Sequence, residues 1–205
     1  MLYSLVMLKA VIFDLNGVFI HSPKLSDRFE QDFCVPVSDF MPKLGSIMDE
    51  VRKPGARGAF SYWEPVLKEW GVSMNETEFW QYWFGAETPS DEMIALGCEL
   101  KVKGIKVIAL SNNFKERADF YGHYPWMQEV MDKAYFSWQT GLVKPDVEAW
   151  KLALKDFGLE PEEVIYFDDQ EKNLSAAEGL GIRSFMYVSP NDARAVIEAA
   201  GSAER

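Results

Sequence analysis

The chain has 205 residues, 48% of them hydrophobic, and a formal net charge of -11. Such a chain holds one sizeable core, or a core plus a smaller insert, and its composition excludes disorder. The negative charge, with no basic stretch, excludes a polyanion such as DNA or RNA as partner. Cys34 and Cys98 stand in no ligand spacing, so a disulfide framework is not expected and a reducing compartment is. No apolar run reaches membrane-spanning length. The apolar start, Met1 to Leu8, lacks a basic leader and a small-residue cleavage site. It reads as the lead-in to a first strand, and the expected location is cytoplasmic.

Two textures then alternate. Residues 10–15, 105–110, 133–136, 163–168 and 183–188 are short β-branched or aromatic runs bounded by Gly, Asp, Ser or Asn. They read as buried parallel strands. Residues 114–121, 146–157, 171–180 and 191–200 carry apolar residues at helical intervals, as in Trp150, Leu154 and Phe157. Alternating strands and helices predict an α/β fold with a parallel sheet covered on both faces.

The alternation breaks once, where about 90 residues separate the first strand from the second, far beyond an ordinary crossover. This stretch is rich in helix signals. Trp63, Val66, Leu67 and Trp70 form an i, i+3, i+4, i+7 stripe ending at Gly71. Phe79 pairs with Trp83, and Trp80 with Phe84, one turn apart. Residues 26–34 and 39–51 read as two further helices. The prediction is a helical domain at 19–88 inserted into a core made of 1–18 and 89–205.

Four polar clusters fall at predicted strand tips, where open parallel sheets place their ligands. Asp14-Leu15-Asn16-Gly17-Val18 puts a carboxylate where it can attack phosphorus, although an Asx turn explains it equally. Ser111-Asn112-Asn113 offers a hydroxyl beside free main-chain N–H groups, or a plain helix cap. Lys144-Pro145-Asp146 offers a cation, or an exposed lysine before a helix. Asp168-Asp169, with Asn173 four residues on, pairs carboxylates that repel unless a cation lies between them, and Mg²⁺ prefers such oxygen ligands.

In this order, the four clusters resemble the motifs of the haloacid dehalogenase superfamily. The resemblance spans the chain and is nearest to the branch of sugar-phosphate phosphatases and the phosphatase domain of soluble epoxide hydrolases. It implies a Rossmann-like core with the helical insert as cap. It also implies a Mg²⁺-dependent phosphatase of small phosphorylated metabolites, working through an aspartyl phosphate. Asp14 would be nucleophile and metal ligand, the carbonyl of Asn16 and the carboxylate of Asp169 further ligands, and Asp168 an outer-shell group. Ser111 and Asn112 would grip the phosphoryl oxygens, Lys144 would bridge nucleophile and phosphate, and Asn173 would support the acidic loop.

Asn16 departs from the pattern. The family's phosphatases carry there an aspartate that protonates the leaving alcohol and then activates water. An amide does not titrate, while its carbonyl can still hold a metal. Three readings stay open: an introduced substitution, a natural one with another group replacing the acid, and a non-catalytic phosphometabolite binder. A metal-free 2-haloacid dehalogenase is the enzymatic rival, and the acidic pair argues against it. His21 and His123 read as structural, the cap aromatics as core, and Arg28, Lys53 and Arg57 as a solvated face.

Overall fold

The computed structural model describes residues 7–202, so the lead-in read at residues 1–6 lies outside the described residues. Five parallel strands form one sheet in the order β5-β4-β1-β6-β7. They are β1 (Ala10–Phe13), β4 (Lys106–Ser111), β5 (Lys133–Phe136), β6 (Val164–Asp168) and β7 (Arg183–Met186). All five were predicted to within about two residues, the usual scatter of element ends. The central strand is apolar throughout because both of its faces are covered. Val11 and Phe13 pack into one cluster with Val107, Ala109, Met93 and Ile197. Ala10 and Ile12 point the other way, onto Trp150, Ala153 and Tyr166.

The helices covering the sheet are α5 (Asp91–Val102), α6 (Lys115–Gly122), α7 (Pro125–Val130), the single turn α8 (Ser137–Thr140), α9 (Glu148–Phe157), α10 (Glu171–Glu178) and α11 (Pro190–Ser202). Of these, α5, α7 and α8 were not predicted. Ser90 caps α5 by accepting from the Met93 amide at 3.3 Å.

Between β1 and β4 the chain departs through β2 (Ile20–His21) and returns through β3 (Thr88–Pro89), which pair as an antiparallel ribbon. The intervening helices are α1 (Leu25–Phe33), α2 (Val37–Val51), α3 (Phe60–Glu69) and α4 (Glu76–Phe84). They share one aromatic core built on Phe29, Phe40, Trp63, Phe79 and Trp83. The Trp63 stripe points inward as expected, with Trp63, Val66 and Leu67 buried. Asn75 starts α4 with a reciprocal cap to Glu78. Phe114, which precedes α6 of the sheet unit, belongs to this core and lies 5.4 Å from the Trp83 ring centroid.

Helices α5 and α7 approach closely at Gly97. A Cβ there would lie 2.3 Å from Val130 Cγ1, and Val130 is buried and stiff. Gly97→Ala gains up to about 1 kcal/mol of helix propensity but overpacks the contact by about 1–3 kcal/mol. The expected outcome is a lower Tm in calorimetry, with Gly97→Ala/Val130→Ala less destabilised than the sum of its parts. A Tm at or above that of the parent would contradict this packing.

Candidate active site

The strand order reverses about β1, since the chain runs outward through β4 and β5 and then crosses to β6 on the other side. Crevices at such switch points hold ligands in open α/β sheets. Here the carboxyl ends of β1, β4 and β6 deliver Asp14, Ser111 and Asp168 to one place.

After β1 the backbone turns sharply, with Phe19 and Ile20 both donating to the Leu15 carbonyl at 2.9 Å. Gly17 sits at φ +86° inside that turn, and a Cβ there would lie 2.5 Å from Asp169 Oδ2. Glycine is therefore required twice, for its conformation and for the acidic side chain that passes over it.

Lys144 is the hub. It is 3% exposed, and its ammonium contacts Asp168 Oδ2 at 2.6 Å and Asp14 Oδ1 at 3.1 Å. It also donates to the Tyr166 hydroxyl at 3.2 Å. Asp168 is fully buried, and both of its oxygens are engaged. Oδ2 takes Lys144 and Tyr166, while Oδ1 takes the Gln170 amide at 2.8 Å; Asn173 Nδ2 donates to both oxygens at 3.0 Å. Asn173 thus lies where it supports the acidic loop.

Asp14, Asp168 and Asp169 bring carboxylate oxygens within 4.8 Å of one another. Burial pushes the Asp14 carboxyl up to about 6; Lys144 opposes that shift and Asp168 adds to it. Asp169 is raised by burial and then by Asp168. Three acids crowded beside one lysine suit a divalent cation with oxygen ligands. Asp168 already has a full set of partners, which leaves Asp14 and Asp169 as the available carboxylates.

Ser111 is buried at the tip of β4. The Asn112 side chain points to the lysine loop, accepting from the Lys144 amide and donating to its carbonyl, each at 2.8 Å. Any contact from Asn112 to a phosphoryl oxygen must therefore come from its main chain. Asn113, unassigned from the sequence, donates to Ser111 Oγ at 3.1 Å and to Asn16 Oδ1 at 2.8 Å.

Asn16 has further partners. Its Nδ2 donates to Ser22 Oγ at 3.0 Å and to the Tyr121 hydroxyl at 2.5 Å. Tyr121 in turn donates to Glu87 Oε2 at 2.7 Å, and Arg117 pairs with Glu87 Oε1. Burial holds the Tyr121 phenol protonated, well above its ordinary range. Sequence reasoning missed Ser22, Glu87, Arg117 and Tyr121, which lie far apart in the chain.

A cavity of about 450 Å³ opens here, lined by Asp14, Asn16, Ser111, Asp169, Arg52 and Trp83 among others. Trp83 is the aromatic of the helical unit that reaches it. The cations singled out from sequence are engaged elsewhere: Arg28 over Tyr82, Arg57 over Tyr62, and Lys53 with Glu50. His21 and His123 are exposed and line none of it.

The chain is 32% identical over 194 residues to D-ribitol-5-phosphate phosphatase of Bacteroides thetaiotaomicron, covering 87% of this chain and 91% of that one. It is 24% identical over 201 residues to bifunctional epoxide hydrolase 2 of Sus scrofa, covering 87% of this chain and 36% of that enzyme. The chain thus spans about a third or less of the length of several curated relatives. Among solved structures, a HAD family enzyme from Bacteroides thetaiotaomicron superposes with a TM-score of 0.75 at 21% identity, over 89% of this chain and 94% of that one. Residues 8–181 match the haloacid dehalogenase-like hydrolase family. With that match laid over the switch-point site, the chain belongs to the haloacid dehalogenase-like hydrolases.

Proposed function

We propose that this hydrolase is a Mg²⁺-dependent phosphatase of small phosphorylated metabolites, with Asp14 as nucleophile. The observation that carries the reading is the buried Lys144 shared between Asp14 and Asp168, with Asp169 beside them. A phosphatase name on a relative of nearly equal length supports it. The acidic pair weighs against a metal-free dehalogenase. Helices α1–α4, at 19–88, would act as the cap that closes the cavity and excludes water.

In this reading Asp14 attacks phosphorus in line. Lys144 neutralises charge on the nucleophile and the phosphoryl oxygens. Ser111 and the main chain at Asn112 hold those oxygens. A divalent cation, held by Asp14, Asp169 and the Asn16 carbonyl, supplies further charge stabilisation when bound. Asp168 fixes Lys144 and is itself fixed by Asn173, Tyr166 and the Gln170 amide. The Asn16 side chain carries no exchangeable acid.

Three outcomes follow from these assignments. With an alkyl phosphate such as glycerol phosphate, the chain should turn over only with Mg²⁺, and Asn16→Asp should be faster by at least about tenfold, below the usual general-acid effect. Equal rates remove Asn16 from the mechanism, and tight phosphate binding without turnover in either protein favours the non-catalytic binder. In a thermal melt, saturating Mg²⁺ at about a hundred times its Kd adds about 2.7 kcal/mol, a rise in Tm of roughly 5–10 °C for a chain of this size. The rise should vanish in Asp169→Asn, and its persistence there would move the metal elsewhere. Asn112→Ala removes two hydrogen bonds from the Lys144 loop, so kcat should fall about tenfold, with KM changing much less. A change confined to KM would assign Asn112 to substrate binding.

A further inference from the structure

The amide at position 16 stands in a hydrogen-bond chain of fixed polarity. Arg117 pairs with Glu87 and holds it as an acceptor, so the Tyr121 hydrogen points to Glu87. The Tyr121 oxygen is then free only to accept, and Asn16 Nδ2 supplies that hydrogen. Its second amide hydrogen goes to Ser22, and its oxygen receives Asn113. Asn16 therefore fits a site wired for a permanent donor, and all three of these bonds go to protein groups.

The other ionisable groups lining the cavity are Asp14, Asp169, Lys24, Arg52 and Arg117. Asp14 is the nucleophile and Asp169 a metal ligand in the reading above. Lys24 is exposed, just ahead of α1. Arg117 is tied to Glu87 and donates to Ser22 at 3.1 Å. Beyond Asp14, the cavity thus has among the described residues no buried acid for protonating a departing alkoxide.

Arg52 is the converse case, a cation in search of an anion. It follows the last residue of α2, and its Nε is buried without a hydrogen-bond partner. Burial and the nearby Arg117 both disfavour its charge, while Asp49 and Asp14 favour it. A half-buried guanidinium that lines the cavity with a partnerless Nε beside a reaction centre suits an anionic ligand.

Resting on the phosphatase reading, we infer that the site takes substrates whose leaving group departs as a stable anion, an acyl phosphate or a phosphoanhydride, and that Arg52 receives that anion. An Asp14 oxygen bonds to phosphorus while the bond from phosphorus to the leaving oxygen breaks. The electron pair stays on that oxygen, which leaves as carboxylate or phosphate and takes up no proton. Water then adds to phosphorus and the bond to Asp14 breaks, giving inorganic phosphate and one proton to solvent. The first step draws no proton from residue 16, and the second, in which an aspartate would activate water, is common to every substrate and does not enter a comparison of kcat/KM. An alkyl phosphate, by contrast, expels an alkoxide, and loses roughly 10²–10⁴ in rate without a general acid.

The test compares kcat/KM for acetyl phosphate, pyrophosphate and glycerol phosphate in the parent, Asn16→Asp, Arg52→Gln and Arg52→Lys, all with Mg²⁺. The parent should prefer acetyl phosphate or pyrophosphate to glycerol phosphate by at least about a hundredfold. Which of the two is faster separates the acyl from the anhydride class. Asn16→Asp should shrink that preference at least tenfold, by raising the glycerol phosphate rate more than the others. Arg52→Gln should lower the two anionic-leaving-group rates about tenfold or more, with partial recovery in Arg52→Lys and a smaller effect on glycerol phosphate. A parent that hydrolyses glycerol phosphate within about threefold of acetyl phosphate overturns the inference and leaves the phosphatase standing. Equal losses on all three substrates in Arg52→Gln would place Arg52 on the transferred phosphoryl group and overturn its assigned role. Absence of turnover in both the parent and Asn16→Asp would sink the phosphatase reading itself.

Discussion

A lysine with 2% of its side chain exposed cannot carry its charge unless anions surround it, and that requirement organises the sheet's carboxyl edge. Lys144 takes two carboxylates from different strands, Asp14 after β1 and Asp168 at the end of β6. Asp168 in turn draws in Tyr166, Asn173 and the Gln170 amide, and Asn112 braces the loop that carries the lysine. Buried ion pairs of this kind add little net stability compared with apolar packing, because desolvation offsets their attraction. Their retention here is best understood as preorganisation: charge is fixed before a phosphoryl group arrives.

The sheet, and the gathering of polar residues at its strand tips, were legible in the sequence for one reason. In a parallel sheet covered on both faces, each strand is a short apolar run, and the first polar residue after it marks a tip. Ala10 to Phe13 followed by Asp14 is the plainest case. What stayed hidden was tertiary. The ribbon β2/β3 has two residues per strand, too few for a period to show. Helix α5 buries only Met93, Leu96, Gly97 and Leu100, and the glycine in that narrow stripe, with Ala95 and Cys98 on the exposed side, blurs the apolar pattern, although Ser90-Asp91-Glu92 is a legible start. Arg52 adjoins Lys53, which the sequence did flag. The end of α2 turns one toward the cavity and the other toward Glu50 and solvent. Glu87 becomes intelligible only when Arg117 and Tyr121 are placed beside it.

Asn16 is held differently from the acids around it. Asp14 and Asp169 sit in an electrostatic field shaped by Lys144, whereas the Asn16 side chain sits in a directional lattice of neutral groups anchored by one ion pair, Glu87 with Arg117. The two systems adjoin just past β4, where Asn113 donates to Asn16 and its neighbour Asn112 braces the lysine loop.

That lattice also straddles the two-strand ribbon joining the helical unit to the sheet. Ser22 directly follows β2 and Glu87 directly precedes β3, so one side of the joint accepts from the Asn16 amide directly and the other reaches it through Tyr121. A swing of the helical unit about that joint must therefore drag or release the partners of residue 16. Mechanical position and the orientation of one active-site amide become a single variable.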